Sequence, residues 1–243
     1  MDMIRMPLIL DALLDIIYPR IYCELCGTRL EKTAVHGICS HCAETLSFIH
    51  PPRCRLCSKP VETWTVVCKE CELYGHDYDQ AMAVFEYSIT MRELIHRYKY
   101  KKEYSLSRTF GYFMLEALDK TEWQIDVIIP VPLHKNRLKS RGFNQAALLG
   151  EYISQRTGIP CEQDILIRSI DTKTQTSLSR KERAINLENA FTISKFGENK
   201  IENKNLLLID DVHTTGATAD SCSKVLHQAG AGKIYVLTIA AVL

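Results

Sequence analysis

Short apolar runs alternate along the chain with stretches in which apolar residues recur every three or four positions. That alternation predicts strands separated by helices. Strands are expected at 81–87, 126–132, 165–168, 190–193, 206–209 and 234–242. Helical spacing is found at 8–17, where Leu10, Leu13, Leu14 and Ile17 share a face, and from a capping Thr90 through Leu94, Ile95 and Tyr98. It returns at 106–118, at 143–157 with Phe143, Ala147, Leu148 and Ile153 as apolar points, and at Ala219, Cys222, Leu226 and Ala229. Gly158-Ile-Pro160 closes the fourth helix, Gly230 and Gly232 close the last, and 195–204 reads as a surface turn. Strands alternating with helices predict an α/β fold with a mostly parallel sheet flanked by helices.

Before residue 75 the pattern is of another kind. Four Cys-x-x-Cys pairs stand within fifty residues: Cys23/Cys26, Cys39/Cys42, Cys54/Cys57 and Cys68/Cys71. One such knuckle offers two thiolates to a tetrahedral ion, and two knuckles complete a closed four-cysteine site. The spacing of each half matches a zinc ribbon, so two structural Zn²⁺ are expected, one on the first and second pairs and one on the third and fourth. An interleaved pairing is the alternative arrangement, and redox-active Cys-x-x-Cys the alternative chemistry. With eight cysteines already matched, His36, His41 and His50 are read as bystanders. A module this small has too little core to fold alone, so metal must stabilise it, by on the order of 10–16 kcal/mol per structural zinc. Four thiolates leave no open position on the ion, which argues against catalysis by the metal. A division into residues 1–75 and 76–243 follows.

The segment 206–218, LLLIDDVHTTGAT, carries the densest chemistry. An apolar strand leads to Asp210 and Asp211, and a polar turn follows before a helix. A turn entering a helix presents free backbone N–H groups and the positive end of the helix dipole, both suited to phosphate. Thr214, Thr215 and Thr218 add hydroxyl donors, and Gly216 lets a ligand approach the backbone. The two acids would repel phosphate; they suit ribose hydroxyls, directly or through Mg²⁺.

Two basic stretches and one mixed one surround this segment. RYKYKKEY, residues 97–104, alternates cations with tyrosines, as a single-stranded nucleic-acid surface does. A solvated helix end with its tyrosines laid onto the core is the competing reading. The loop after strand 126–132 carries Lys135, Arg137, Lys139 and Arg141 without an acid among them. It falls on the sheet edge where open α/β folds bind ligands, and its cations suit an anionic ligand. Residues 168–186 form a long polar stretch, RSIDTKTQTSLSRKERAIN, read as a hood over a bound ligand.

Composition narrows the choice further. The chain has 243 residues, 24% charged and 46% hydrophobic, with a formal net charge of +1. A nucleic-acid partner would therefore meet a local basic patch and not a basic protein. The apolar run 8–17 is short and broken by Asp11 and Asp15, so neither a membrane span nor a signal core is expected. A cytoplasmic, reducing location is expected in consequence, and ten cysteines there favour metal over disulfides.

Segment 206–218 resembles the phosphoribosyl-pyrophosphate (PRPP) motif of type I phosphoribosyltransferases. That resemblance implies that Thr214, Thr215, Gly216, Ala217 and Thr218 hold the 5′-phosphate and that Asp210 and Asp211 meet the ribose 2′- and 3′-hydroxyls, with Mg²⁺ accompanying PRPP. Lys135, Arg137 and Arg141 would then lie in the pyrophosphate loop. Purine-salvage members carry an acid where this chain has Thr214, which argues against a hypoxanthine-type enzyme. Taken with the zinc knuckles, PVPLHKNRLKSRGFNQA and TKTQTSLSRKERAIN, nearly the whole chain resembles the ComF family of the ComFC/GntX type. The family implies a zinc-ribbon domain ahead of a type I phosphoribosyltransferase fold, a role in natural transformation, and single-stranded DNA and the helicase/translocase ComFA as partners. Whether such a protein is an active transferase, a DNA-handling protein that binds PRPP, or a docking adaptor with a vestigial site is left open by the residues.

Overall fold

The computed structural model describes residues 21–31, 34, 36–62, 67–171, 187, 189–195 and 197–243. The expected helix at 8–17 and most of the expected hood, residues 172–186, lie outside the described residues. In chain order the elements are α1 (Ser40–Glu44), α2 (Lys69–Tyr74), β1 (Gln80–Glu86), α3 (Ile89–Tyr100), α4 (Leu106–Leu118), β2 (Val127–Pro130), α5 (Lys135–Arg141), α6 (Gln145–Thr157), β3 (Leu166–Arg168), β4 (Phe191–Ile193), α7 (Glu198–Ile201), β5 (Leu206–His213), α8 (Ala217–Gln228) and β6 (Ile234–Ala241).

Four strands form one sheet in the order β1-β6-β5-β2, and every pairing in it is parallel. All eight residues of β6 are buried, as a central strand of a parallel sheet requires. Alternate residues of each strand serve opposite faces. Leu207 and Ile209 join Tyr98, Phe110, Leu149 and Ile153 of α3, α4 and α6 on one side. Leu206 and Leu208 join Cys222 and Leu226 of α8, with Leu166 and Phe191, on the other. β3 and β4 pair antiparallel in a small separate sheet against α8.

Most expected elements are present, with local differences that have physical causes. α3 is capped by Ser88, whose hydroxyl accepts the Met91 N–H at 3.3 Å, and not by Thr90. The basic loop after β2 contains a short helix, α5, capped by the His134 ring, which accepts the Asn136 N–H. The expected surface turn at 195–204 contains α7, whose Ile201 is fully buried. β5 continues past Ile209 to His213, because Asp210, Val212 and His213 keep their register with Thr238, Ala240 and Ala241 of β6.

The cysteine-rich segment packs directly on the sheet. Cys23, Ile38, Cys42 and Leu46 share one hydrophobic cluster with Val84, Phe85 and Phe113, so residues on both sides of the expected division at 75/76 contribute to it. Phe48 lies 4.7 Å from Phe85 between ring centroids, and His36 stacks on Tyr112 at 3.6 Å. β1 is an edge strand, and its outward polar groups are nonetheless paired. The Ala81 N–H donates to Arg55 O, Ala83 N–H to Ser58 Oγ and Glu86 N–H to Ser47 O, while Val84 O accepts from Ile49 N–H. The segment therefore covers the edge that β1 would otherwise present to another chain.

Candidate functional site

The eight knuckle cysteines converge as two separate clusters. The Sγ atoms of Cys23, Cys26, Cys39 and Cys42 lie within 4.8 Å of one another, and so do those of Cys54, Cys57, Cys68 and Cys71. Sequential pairing is thus the arrangement found, and the interleaved alternative is not. Four ligands at about 2.3 Å from a tetrahedral zinc stand about 3.8 Å apart. Cys26 and Cys39 are 3.7 Å apart, and so are Cys57 and Cys68. In each cluster a backbone N–H meets the first thiol: Cys39 to Cys23 at 3.3 Å and Cys68 to Cys54 at 3.2 Å. Burial, reinforced by the neighbouring Cys54, pushes the Cys57 thiol up to about 12, so this thiol resists ionising without a cation to hold it. The donor set and its geometry fit structural zinc at both places.

The acid pair stands near the carboxyl end of β5. Adjacent strand residues point to opposite faces, and the two carboxylates have different neighbours accordingly. Asp211 is buried on the α3 side, where Lys99 Nζ meets its Oδ2 at 2.5 Å. Asp210 is half-buried on the α8 side, within electrostatic reach of Arg168 and the buried Cys222. Burial first, and the charge of Asp211 second, push the Asp210 carboxyl up to about 7. A bond from the Asp211 N–H to Asp210 Oδ1 at 2.8 Å ties the two together.

The turn that follows rests on Gly216, which has φ 82° and opens α8. A Cβ at this position would stand 2.7 Å from His76 Cε1 and 3.1 Å from the Tyr78 hydroxyl. Only glycine fits, for reasons of both space and backbone angle. His76 Nδ1–H donates to Asp220 in the first turn of α8 at 3.0 Å, and the Asp77 N–H donates to the same carboxylate. Tyr78 and His213 share a bond of 2.8 Å behind the turn. Thr214 and Thr215 are half-buried, Ala217 and Thr218 begin α8, and Thr215 Oγ1 is shielded with no hydrogen-bond partner among the described residues.

The parallel register of β2 with β5 brings the basic loop to the same edge as the acid pair. Arg137 approaches Asp171 at 3.9 Å, and Arg141 donates to Gln145 and lies 5.1 Å over the Tyr100 ring. Lys135 begins α5 on the surface. Segment 97–104 divides between the two readings it allowed. Tyr98 is buried and donates to Gln145 O, and Arg97 is held by Glu103 and Glu24 O. Tyr100 and Tyr104 are exposed beside Lys101 and Lys102.

Sequence reasoning missed Lys99 as a partner of the acid pair, and it missed the His76–Asp220 and Tyr78–His213 supports of the turn. Lys99 follows Tyr98, the last apolar point of α3, and that adjacency was the available signal. For His76 and Tyr78 no periodic signal exists.

A family profile described as a double zinc ribbon domain matches residues 13–72. Competence protein F of Haemophilus influenzae is 32% identical over 212 residues, covering 85% of this chain and 91% of that protein. The DNA utilization protein YhgH of Escherichia coli K12 is 29% identical over 221 residues, covering 83% of this chain and 96% of that protein. Among solved structures, a glutamine PRPP amidotransferase from Bacillus subtilis complexed with ADP and GMP matches 59% of this chain and 30% of its own, at 19% identity and a TM-score of 0.40.

Proposed function

The chain belongs to the ComF family of competence proteins, and from that premise we propose that it handles incoming single-stranded DNA and binds PRPP with Mg²⁺. The observation that carries the PRPP reading is the continuity of β5, the acid pair, the Gly216 turn and α8 at one sheet edge. In this reading Thr214–Thr218 take the 5′-phosphate on the free N–H groups of the turn. Asp210 and Asp211 take the ribose hydroxyls, and Lys135, Arg137 and Arg141 face the pyrophosphate. Asp210 and Asp211 would hold Mg²⁺ through the ribose hydroxyls or directly, and the ion would lend positive charge to the leaving group.

The DNA reading is supported by Tyr100 and Tyr104, which are exposed 58% and 46% and flanked by Lys101, Lys102 and Arg141. Exposed rings stack bases, and cations beside them hold the backbone. The name of the Escherichia coli relative, a DNA utilization protein, agrees with it. A ComFA-type helicase as partner, a cytoplasmic location and a working division at residue 75 rest on family membership and on the spacing of the motifs. No helix among the described residues is long and apolar enough to cross a membrane.

Calorimetric titration of PRPP with Mg²⁺ into the zinc-loaded protein tests the site. Asp210→Asn with Asp211→Asn is expected to abolish binding, and retained binding would overturn the assignment. Pyrophosphate release in the presence of bases or DNA ends separates a transferase from a PRPP-binding protein.

A further inference from the structure

Lys99 is a cation that neither the zinc sites nor the phosphate turn employs. It stands in the last turn of α3, next to Tyr98, which shares one hydrophobic cluster with Leu207 and Ile209 of β5. Its ammonium lies 2.5 Å from Asp211 Oδ2, where the acid side chain is 6% exposed. Arg141 is the next cation within electrostatic reach of Lys99, and Asp210 the next anion. A bound sugar diphosphate needs both acids for its hydroxyls, so the Lys99 contact and the ligand compete for the same carboxylate. The displaced ammonium would then sit beside the ligand's most anionic part.

We propose that Lys99 is a resident counter-ion of the acid pair, which keeps a bare divalent cation off Asp211 in the empty site and turns to the diphosphate when a sugar diphosphate binds. The proposal rests on the PRPP reading for its second half only. Its first half follows from charge alone. Asp211 is a buried carboxylate with Asp210 as the next anion, and a bare carboxylate there would attract a divalent cation. Lys99 bonded to Asp211 cancels its charge and occupies one oxygen. Losing Lys99 should therefore act in opposite directions on the two ligands. Bare metal gains the freed carboxylate, and the diphosphate loses a cation.

The test compares the full-length zinc-loaded protein with its Lys99→Met variant. Mn²⁺ alone, followed by electron paramagnetic resonance, is expected to bind about ten-fold more tightly to the variant. Mg²⁺–PRPP, followed by calorimetry, is expected to bind about ten-fold more weakly, each change being about 1.4 kcal/mol. The Mn²⁺ gain should vanish in Lys99→Met/Asp211→Asn, which places it at the acid pair. Lys99→Arg should move both affinities back toward the parent protein. Should Lys99→Met fail to fold, Lys99→Gln, which is neutral but polar, carries the same comparison. Unchanged affinities, or two shifts in the same direction, would overturn the proposal. If the parent protein binds no PRPP, the PRPP reading falls while the Mn²⁺ comparison still decides whether Lys99 screens the pair.

Discussion

At the scale of single residues, the acid pair was legible as two carboxylates after an apolar run, but its division between two environments was not. The strand was expected to end at Ile209, because aspartate disfavours strands. Pairing with β6 carries the strand to His213, and the alternation of a strand then sends the two acids to opposite faces. One consequence concerns pH. The folded, ligand-free protein holds the Asp210 proton up to about 7, against an ordinary 3.8. An acid whose pKa is raised by folding favours the folded state most below its unfolded value. That contribution is lost as pH climbs from about 4 to about 7. Asp210→Asn removes the penalty, so Tm without ligand should rise at pH 8 and rise less at pH 6. The gain at pH 8 should be about 1–3 kcal/mol after discounting for partial exposure. Calorimetric melts at the two pH values check this, and an equal gain at both would contradict it. Gly216 makes a second case. Gly216→Ala forces a side chain into a left-handed backbone and against the His76 ring. It should cost about 1–3 kcal/mol of stability and weaken PRPP binding, and denaturant melts and titration read the two effects.

At the scale of elements, the spacing of apolar residues located α3 but could not assign its last turn. RYKYKKEY has the composition of a nucleic-acid surface throughout, yet tertiary packing gives its residues different duties. Tyr98 enters the core, Lys99 meets Asp211, Arg97 is engaged by Glu103, and only the tyrosines at 100 and 104 keep exposed rings. Composition cannot show which positions face inward when every second residue is amphipathic. The surface reading therefore narrows to Tyr100, Tyr104 and their cationic neighbours. Replacing both tyrosines by alanine should weaken binding to an unstructured oligonucleotide by about 1–3 kcal/mol per stacked base. Binding by the parent protein should fall steeply with added salt, since phosphate contacts release counterions. Fluorescence anisotropy at two salt concentrations reads both. An affinity indifferent to the substitutions would remove this face as the DNA site.

At the scale of the whole molecule, the sequence marked the ribbon as a metal-held unit, but not its attachment. Knuckle spacing is a local signal, whereas edge pairing brings together residues twenty-five or more positions apart. Ser58 illustrates the point. It stands after the third knuckle pair where Gly27 stands after the first, and both have positive φ, 65° and 70°. A serine is kept there in a strained backbone because its hydroxyl accepts the buried Ala83 N–H of β1. With Arg55 O, Ser47 O and Ile49 N–H, it makes the ribbon in effect the fifth neighbour of a four-stranded sheet. Metal binding and sheet stability should then be coupled. Stripping zinc with a chelator at neutral pH should deprotect the β1 amides of Ala81, Ala83 and Glu86 in hydrogen exchange. The central strand β6, paired on both sides by β1 and β5, should lose protection only in the global transition. Zinc release and loss of far-ultraviolet dichroism should share one midpoint in denaturant. Ser58→Ala with zinc in place should reproduce a milder form of this, costing about 1–3 kcal/mol for the stranded N–H. A ribbon tethered as an independent module would leave protection at 80–86 unchanged after chelation, and that outcome would separate the metal sites from the fold they adjoin.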